Sequence, residues 1–520
     1  MKKTANFIIF FLFLAGLLLR FYKINEPLAD WHSWRQADTA SVSRRFLTEG
    51  IDLLHPKYHD LSNIPNGLDN PEGYRMVEFP LYNAVHVVFF RLQPDFLNFE
   101  GAGRFVSIVF GLMGVLFLYL LVKKEWGSMI AMAVLAFYLF LPFNIFYQRT
   151  ILPENLMIAA SLAFLYFFSN YSDLSLSQSS GFRTSRNDAK LPVYYIFKYE
   201  ASARCLNLFI AILSLSVALL IKPTAVFLVL PAVYLAFKPK NTFSRLLHRV
   251  GEKNNTYPAL PAVLKNPGNW LVAGIPLLFF LLWRWWIAHF PEGIPAFSWL
   301  LNGNHIRFKP SFFRWIFGDR IGRLIFGYWG LSFVAFFFLG KKKAFGLAWY
   351  FLFGALAYLF VVATGNVQHD YYQTLIMPAL SILAGIGLLN FWNYSSQVKA
   401  VKFWFIVVLL LFTFSFSWFF VRDYYNINHP EIVEAGLEAD RILPPEAKII
   451  APYMGDTAFL YQTHRNGWPI GGGIEDKIKM GAEYYISVNR GEETVGLMEK
   501  CKTIEDNSSY VIVNLKECKL

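Results

Sequence analysis

Residues able to do acid, base and phosphate chemistry gather in a few short stretches of an otherwise apolar chain. DWHSWRQADTA, residues 30–40, packs two acids, an arginine, a histidine and two tryptophans into eleven positions. A general base must be ionised and close to the group it deprotonates. An arginine can clamp a phosphate with its planar fork. Asp30 or Asp38 meets the first need and Arg35 the second, with His32 beside them. The plainer reading is an amphipathic helix lying at a membrane surface, anchored by Trp31 and Trp34.

Five further stretches carry similar alternatives. In NPEGYRMVEFPLYN, residues 70–83, Glu78 stands just before Pro80. It is either a carboxylate favoured by a helix N-terminus or a second acid facing the cavity of Asp30. QRTILPENLM, residues 148–157, holds Arg149 and Glu154. Pro then Glu is a helix-start signal, yet ionisable residues at a span end are also functional candidates. Lys222 in IKPT either snorkels to headgroups or binds an anionic lipid phosphate. Arg104, in RLQPDFLNFEGAGRF, begins an apolar run at its outer end. GNVQHDYYQTLIMPA, residues 365–379, clusters His369, Asp370, Tyr371 and Tyr372. Tyrosines belong to the aromatic belt at that depth; a His–Asp pair beside them is less expected and suits a substrate or phosphate role.

The elements that must hold these residues are membrane spans. The 520 residues are 55% hydrophobic and 18% aromatic, with a mean hydropathy of +0.37. That is too apolar for average soluble usage, and runs near twenty residues recur, long enough for a bilayer. Spans are expected at 5–22, 103–122, 128–147, 154–169, 204–221, 223–237, 269–290, 323–340, 344–363, 372–391 and 403–421. The start, MKKTANFIIFFLFLAGLLLR, has no small-residue cleavage site after its apolar run and reads as a retained first span. The net charge of +12 is explained by lysines and arginines in short inner loops rather than by nucleic acid.

Parity decides the status of FPLYNAVHVVFFRL, residues 79–92. If it does not span, Lys123, Lys124, the polar loop 170–203, KPKNTFSRLLHR, Lys341–Lys343, Lys399 and Lys402 all fall inside. It is therefore expected to be a juxtamembrane helix, giving eleven spans. Regions 23–102, 148–154, 291–322 and 364–371 and the tail then fall outside, and every chemical stretch lies on that face. Loop 23–102, with 11 acidic and 7 basic residues, is long enough to be functional in its own right.

After residue 421 the character changes. AKIIAP, AEYYISV and SYVIVNL read as strands and PEIVEAGLEADRIL as a helix. The expected organisation is a transmembrane helical bundle, residues 1–421, and a small α/β domain outside the membrane, residues 422–520. GGG at 471–473 lacks the strand and helix context of a nucleotide loop. Cys501 and Cys518 can pair if the tail is extracytoplasmic; Cys205 reads as a core residue, and no spacing suggests zinc.

The order of these features resembles the GT-C glycosyltransferases of the protein O-mannosyltransferase and aminoarabinose transferase type, glycosyltransferase family 39. The stretches that carry it are DWHSWRQADTA, EFPLYN, GRFVSIVFG, QRTILPEN and HDYYQTLIMP, spread over residues 5–420. The resemblance implies transfer of a sugar from a polyprenyl-phosphate carrier, with inversion, to a protein, lipid or glycan acceptor outside the membrane. It implies one carboxylate as base; Asp30 ranks first as the acid nearest the first span, followed by Glu78, Asp38 and Glu154. Phosphate contacts would come from Arg35, Arg149, Lys222 and His369, with His32, Arg104 and Asp370 nearby and Tyr371 and Tyr372 lining the site. A divalent cation, Mg or Mn, can help neutralise the phosphate. The family's first loop carries a D-E pair where this sequence has Arg35–Gln36, with Asp30 and Asp38 on either side. Glu154 replaces an aspartate usual at the second acidic position. A transporter or lipid flippase is the alternative; it needs ionisable residues near the bilayer midplane. Within the expected spans only Arg284 and His289 stand out, both in the outer half. A noncatalytic scaffold built around the tail is the third reading.

Overall fold

A computed structural model describes residues 2–93, 95–174, 193–238, 263–340, 345–394 and 398–519. Apolar runs form its helices. Five of these are long and apolar enough to cross a membrane by length and composition: Phe99–Trp126, Ser202–Ile221, Pro267–Ile287, and the stretches within Asp370–Tyr394 and Lys399–Ile442. Shorter apolar helices lie at Asn6–Arg20, Leu81–Leu92, Ser128–Phe140, Ala225–Phe237 and Gly346–Val361. Several expected spans are broken rather than continuous. Pro142 separates Ser128–Phe140 from Pro142–Tyr147, and Pro231 restarts the helix after Ala225–Leu228, because proline offers no N–H to the preceding turn. The 323–340 run is interrupted at Gly327 and Tyr328, both with positive φ.

The helices pack closely where small residues allow it. A Cβ at Gly387 would stand 1.8 Å from the Phe333 carbonyl oxygen, so that crossing admits only glycine. Cys205 corrects an expectation: it is exposed on its helix rather than in the core. Lipid is as apolar as a protein interior, so hydropathy alone does not tell the two faces apart. Of the basic stretches expected on the inner side, Lys341–Lys343 and all of KPKNTFSRLLHR but Lys238 lie outside the described residues, as does most of 170–203.

Two helices shape the first loop. Ser33–Glu49 begins after His32, which takes a left-handed backbone with φ of 57°. The segment expected to lie along the membrane surface forms the helix Leu81–Leu92. The next helix, Phe99–Trp126, starts where the Asn98 side chain accepts from the Gly101 N–H at 2.7 Å, a standard N-cap.

The tail folds as a five-stranded sheet with order β2-β1-β3-β5-β4. Its strands are β1 (Lys448–Ile450), β2 (Gly467–Trp468), β3 (Ala482–Ser487), β4 (Cys501–Asp506) and β5 (Val511–Cys518). β1 runs parallel to β2 and β3, whereas β5 is antiparallel to β3 and β4. The helix Pro430–Ile442 and the strands β1, β3 and β5 were legible. β2 has two residues, and β4 alternates charged side chains that give no apolar run, so neither was. Cys501 and Cys518 are register partners joined by a disulfide. The first loop completes this sheet: Leu61 N–H donates to the Gly467 carbonyl at 2.8 Å, and Gly467 N–H to the His59 carbonyl at 2.9 Å. The tail helix Thr457–Gln462 also packs on Ser33–Glu49.

Candidate active site

Between the first loop, the helix ends and the tail lies a cavity of about 1040 Å³. The helix Ser33–Glu49 turns Trp34, Arg35 and Asp38 towards it, a spacing that places side chains on one face. Glu78 reaches it from the segment before Leu81–Leu92, Glu154 from the start of Glu154–Leu174, and Lys222 from the turn after Ile221.

These charges are paired with one another. Arg35 donates to Glu78 Oε1 and Lys222 to Glu154 Oε1, both in close ion pairs. Lys222 Nζ also lies 3.7 Å from Glu78 Oε1. Burial pushes the Glu78 carboxyl up, but Arg35, Lys222 and Arg75 outweigh it and hold Glu78 below the usual carboxylate range. Burial likewise lowers Lys222, and Glu154 and Glu78 more than restore it, so the ammonium stays charged. Arg75 donates to Asp38 Oδ2 at 2.6 Å, and the tail hydroxyl of Thr457 to Asp38 Oδ1 at 2.7 Å. Tyr371 and Tyr372 present their rings 5.9 Å from Lys222 Nζ, within cation–π range.

Asp30, first in the expected order of bases, does not line this cavity. It is buried beside Arg104 and Arg149, whose guanidinium nitrogens stand 3.5 and 3.7 Å from Oδ2. Gln36 donates to Oδ1 at 2.8 Å. Arg104 also holds the carbonyls of Ile24 and Glu26, and Arg149 that of Lys23. Burial and then the neighbouring Arg104 bring Arg149 down to about 10. Asp370 is likewise a hub away from the cavity wall. It accepts from Trp31, His32, Tyr147 and Tyr424, tying the first loop to the bundle and to the end of Lys399–Val421. His369 packs edge-on to His32 at 5.7 Å and near Trp34 and Trp299. Burial, then His32, pushes it down to about 4.

The cavity brings together Asp38, Arg35, Glu78, Glu154, Lys222, Tyr371 and Tyr372, and leaves Asp30, His32, Arg104, Arg149, His369 and Asp370 behind its walls. Sequence reasoning passed over Arg75, three residues from Glu78, although that spacing was a usable signal. It also passed over Asp60, Asp456 and Thr457, which line the cavity from the distant loop and tail; no local pattern marks them. Among the described residues no three His, Cys, Asp or Glu side chains converge to hold a metal. Asp38, Glu78 and one oxygen of Glu154 are instead engaged by arginine, lysine and threonine side chains.

A family model described as dolichyl-phosphate-mannose-protein mannosyltransferase matches residues 80–176, the stretch from Leu81–Leu92 through Glu154. ArnT from Cupriavidus metallidurans, in a crystal structure bound to undecaprenyl phosphate, superposes with a TM-score of 0.60 at 13% identity over 97% of each chain. The fold is that of the GT-C glycosyltransferases. Within the same GT-C group, the Archaeoglobus fulgidus oligosaccharyltransferase in its apo form gives a TM-score of 0.52 at 12% identity, over 92% of this chain and 69% of that one. AglB from Archaeoglobus fulgidus, in complex with an inhibitory peptide and a dolichol-phosphate, gives 0.50 at 10% identity over the same shares. No curated protein matches the chain in sequence. The GT-C resemblance read from the five motifs holds at the level of fold.

Proposed function

We propose that this chain is an integral membrane glycosyltransferase that moves a hexosyl or pentosyl group from a polyprenyl-phosphate carrier to an acceptor on the extracytoplasmic side, with inversion. The observation that carries the reading is a cavity with two characters. Its lining combines the cations Arg35, buried, and Lys222, partly buried, with the apolar side chains of Val226, Phe227, Phe280, Phe297, Leu301 and Val361. A lipid phosphate has the same two characters, an anion on an apolar chain. The ArnT structure carries undecaprenyl phosphate and the AglB structure a dolichol-phosphate, which supports the same ligand class here.

The chemistry balances with these groups. The acceptor hydroxyl oxygen attacks the anomeric carbon from the face opposite the phosphate. The C1–O bond breaks, and its electrons leave with the polyprenyl phosphate, held by Arg35 and Lys222. The hydroxyl proton passes to a cavity carboxylate. Phosphate is a stable leaving anion, so the departing side needs charge neutralisation rather than a strong acid.

The proposal includes an eleven-span topology in a bacterial cell membrane, N-terminus inside, with the division of the chain near residue 421. The disulfide Cys501–Cys518 favours an oxidising compartment for the tail. The transporter reading draws less support, because the buried charges gather at helix ends rather than along a path between them. The test is mass spectrometry of lipid-linked sugars in cells with and without the gene. One polyprenyl-phosphate sugar should accumulate in the deletion strain; unchanged carrier lipids together with altered flux of a solute would sink the transferase reading.

A further inference from the structure

The carboxylates lining the cavity differ in what a bound phosphate would change around them. Asp38 has both oxygens engaged, by Arg75 and by Thr457. Asp60 accepts from the Ser62 N–H at 2.8 Å and the Tyr58 hydroxyl at 3.3 Å. Asp456 caps the helix Thr457–Gln462 through the Ala458 N–H at 2.7 Å. None of these three loses a partner when an anion reaches Arg35 and Lys222. Glu78 shares Lys222 but keeps Arg35, whose charge is permanent, so it remains a weak base. Glu154 is the exception. It is 5% exposed, its Oε1 is held by Lys222 alone, and its Oε2 has no hydrogen-bond partner among the described residues. A buried, unmatched carboxylate oxygen on a cavity wall is costly unless a ligand supplies the missing donor.

Resting on the lipid-phosphate reading above, we infer that Glu154 is the catalytic base and that Lys222 masks it until the donor phosphate draws the ammonium away. Without donor, the two acids Glu78 and Glu154 offset Arg35 and Lys222, so this group of four carries no net charge. An arriving phosphodiester competes with Glu154 for Lys222. The carboxylate left behind is then free to accept a hydrogen bond from the acceptor hydroxyl. The O–H proton goes to Glu154 while the acceptor oxygen bonds to C1 and the C1–O electrons leave with the carrier phosphate. Glu78 is a positioning residue: it holds Arg35 and does not touch the reacting atoms. The device also explains why carboxylates stand beside the very cations that must receive an anion. The base is engaged by Lys222 until donor is bound, so acceptor activation follows donor binding.

The masking makes a counter-intuitive prediction, tested on the full-length purified protein in nanodiscs with undecaprenyl phosphate as probe. Binding is read by quenching of tryptophan fluorescence, since Trp34 and Trp299 line the cavity. Glu154→Gln removes the competitor for Lys222 and is expected to bind the probe about tenfold more tightly, while sugar transfer in membrane extracts falls at least about a hundredfold. Lys222→Gln is expected to weaken probe binding about tenfold. Glu154→Asp, which keeps the charge on a shorter arm, should fold and bind like wild type and retain part of the transfer rate. It serves if Glu154→Gln does not fold. Equal or weaker probe binding by Glu154→Gln, or wild-type transfer by either Glu154 variant, overturns the assignment. No probe binding by the wild-type protein overturns the lipid-phosphate reading instead.

Discussion

Replacing Asp30 with Asn separates a structural acid from a chemical one. The carboxylate is 6% exposed and stands 3.5 and 3.7 Å from two buried guanidiniums. At an effective dielectric near 20, each contact has a Coulomb energy of about 4.5 kcal/mol. Desolvation cancels much of that in the intact cluster, but removing one partner leaves the cost without the gain, about 3–5 kcal/mol. Asparagine keeps the carbonyl that accepts from Gln36, so the substitution isolates the charge. At about 2 °C per kcal/mol, the apparent melting temperature should fall by roughly 5–10 °C. The assay is thermal unfolding of the detergent-solubilised full chain followed by intrinsic fluorescence, with transfer activity measured on the fraction that remains folded. Activity per folded molecule is expected to stay within about tenfold of wild type, far from the hundredfold or greater loss of a missing base. An Asp30→Asn protein with wild-type stability and a hundredfold loss of transfer would refute the reasoning and return Asp30 to the chemistry.

Two further outcomes test the loop and the tail. Burial pushes Asp60 up to about 7. A carboxyl raised above its unfolded value contributes stability that is complete below about pH 4 and is lost as pH rises through the folded value. Asp60→Asn should therefore raise the melting temperature at pH 8 and leave it nearly unchanged at pH 4; equal effects at both would contradict this environment. The disulfide closes a separation of 17 residues in sequence, worth about 3 kcal/mol to the tail. Limited proteolysis of the intact protein should cut between β4 and β5 markedly faster under reductant or in Cys501→Ser, and identical rates would argue against the pairing.

Much of the site was legible as residue types and little of it as partnerships. In DWHSWRQADTA, Asp30 and Asp38 are equivalent on paper, each an acid near Arg35. They part because the helix starts at Ser33. Asp38 then lies three residues from Arg35 on a helical face, towards the cavity. Asp30 stays in the preceding turn, where Arg104 and Arg149 arrive from elsewhere in the chain. The HDYY cluster divides in the same way. Tyr371 and Tyr372 reach the cavity, whereas Asp370 is consumed by four hydrogen-bond donors from three other parts of the chain. Thr457 could not have been found, since nothing in DTAFLYQ marks a hydroxyl that will meet a carboxylate 419 positions away.

What the sequence by itself determined is what depends on composition and short period. Apolar runs near twenty residues dictate membrane helices, alternation after residue 421 dictates strands, and the polar stretches at the span ends dictate where chemistry can occur. The order of those stretches was enough to point to the GT-C fold. What only the tertiary structure decided is which charge neutralises which. Ion pairing acts over a few ångströms in space and is blind to distance along the chain, so Lys222 meets Glu154 and Glu78, and the tail closes the cavity over Asp38, through the packing of helices and sheet alone.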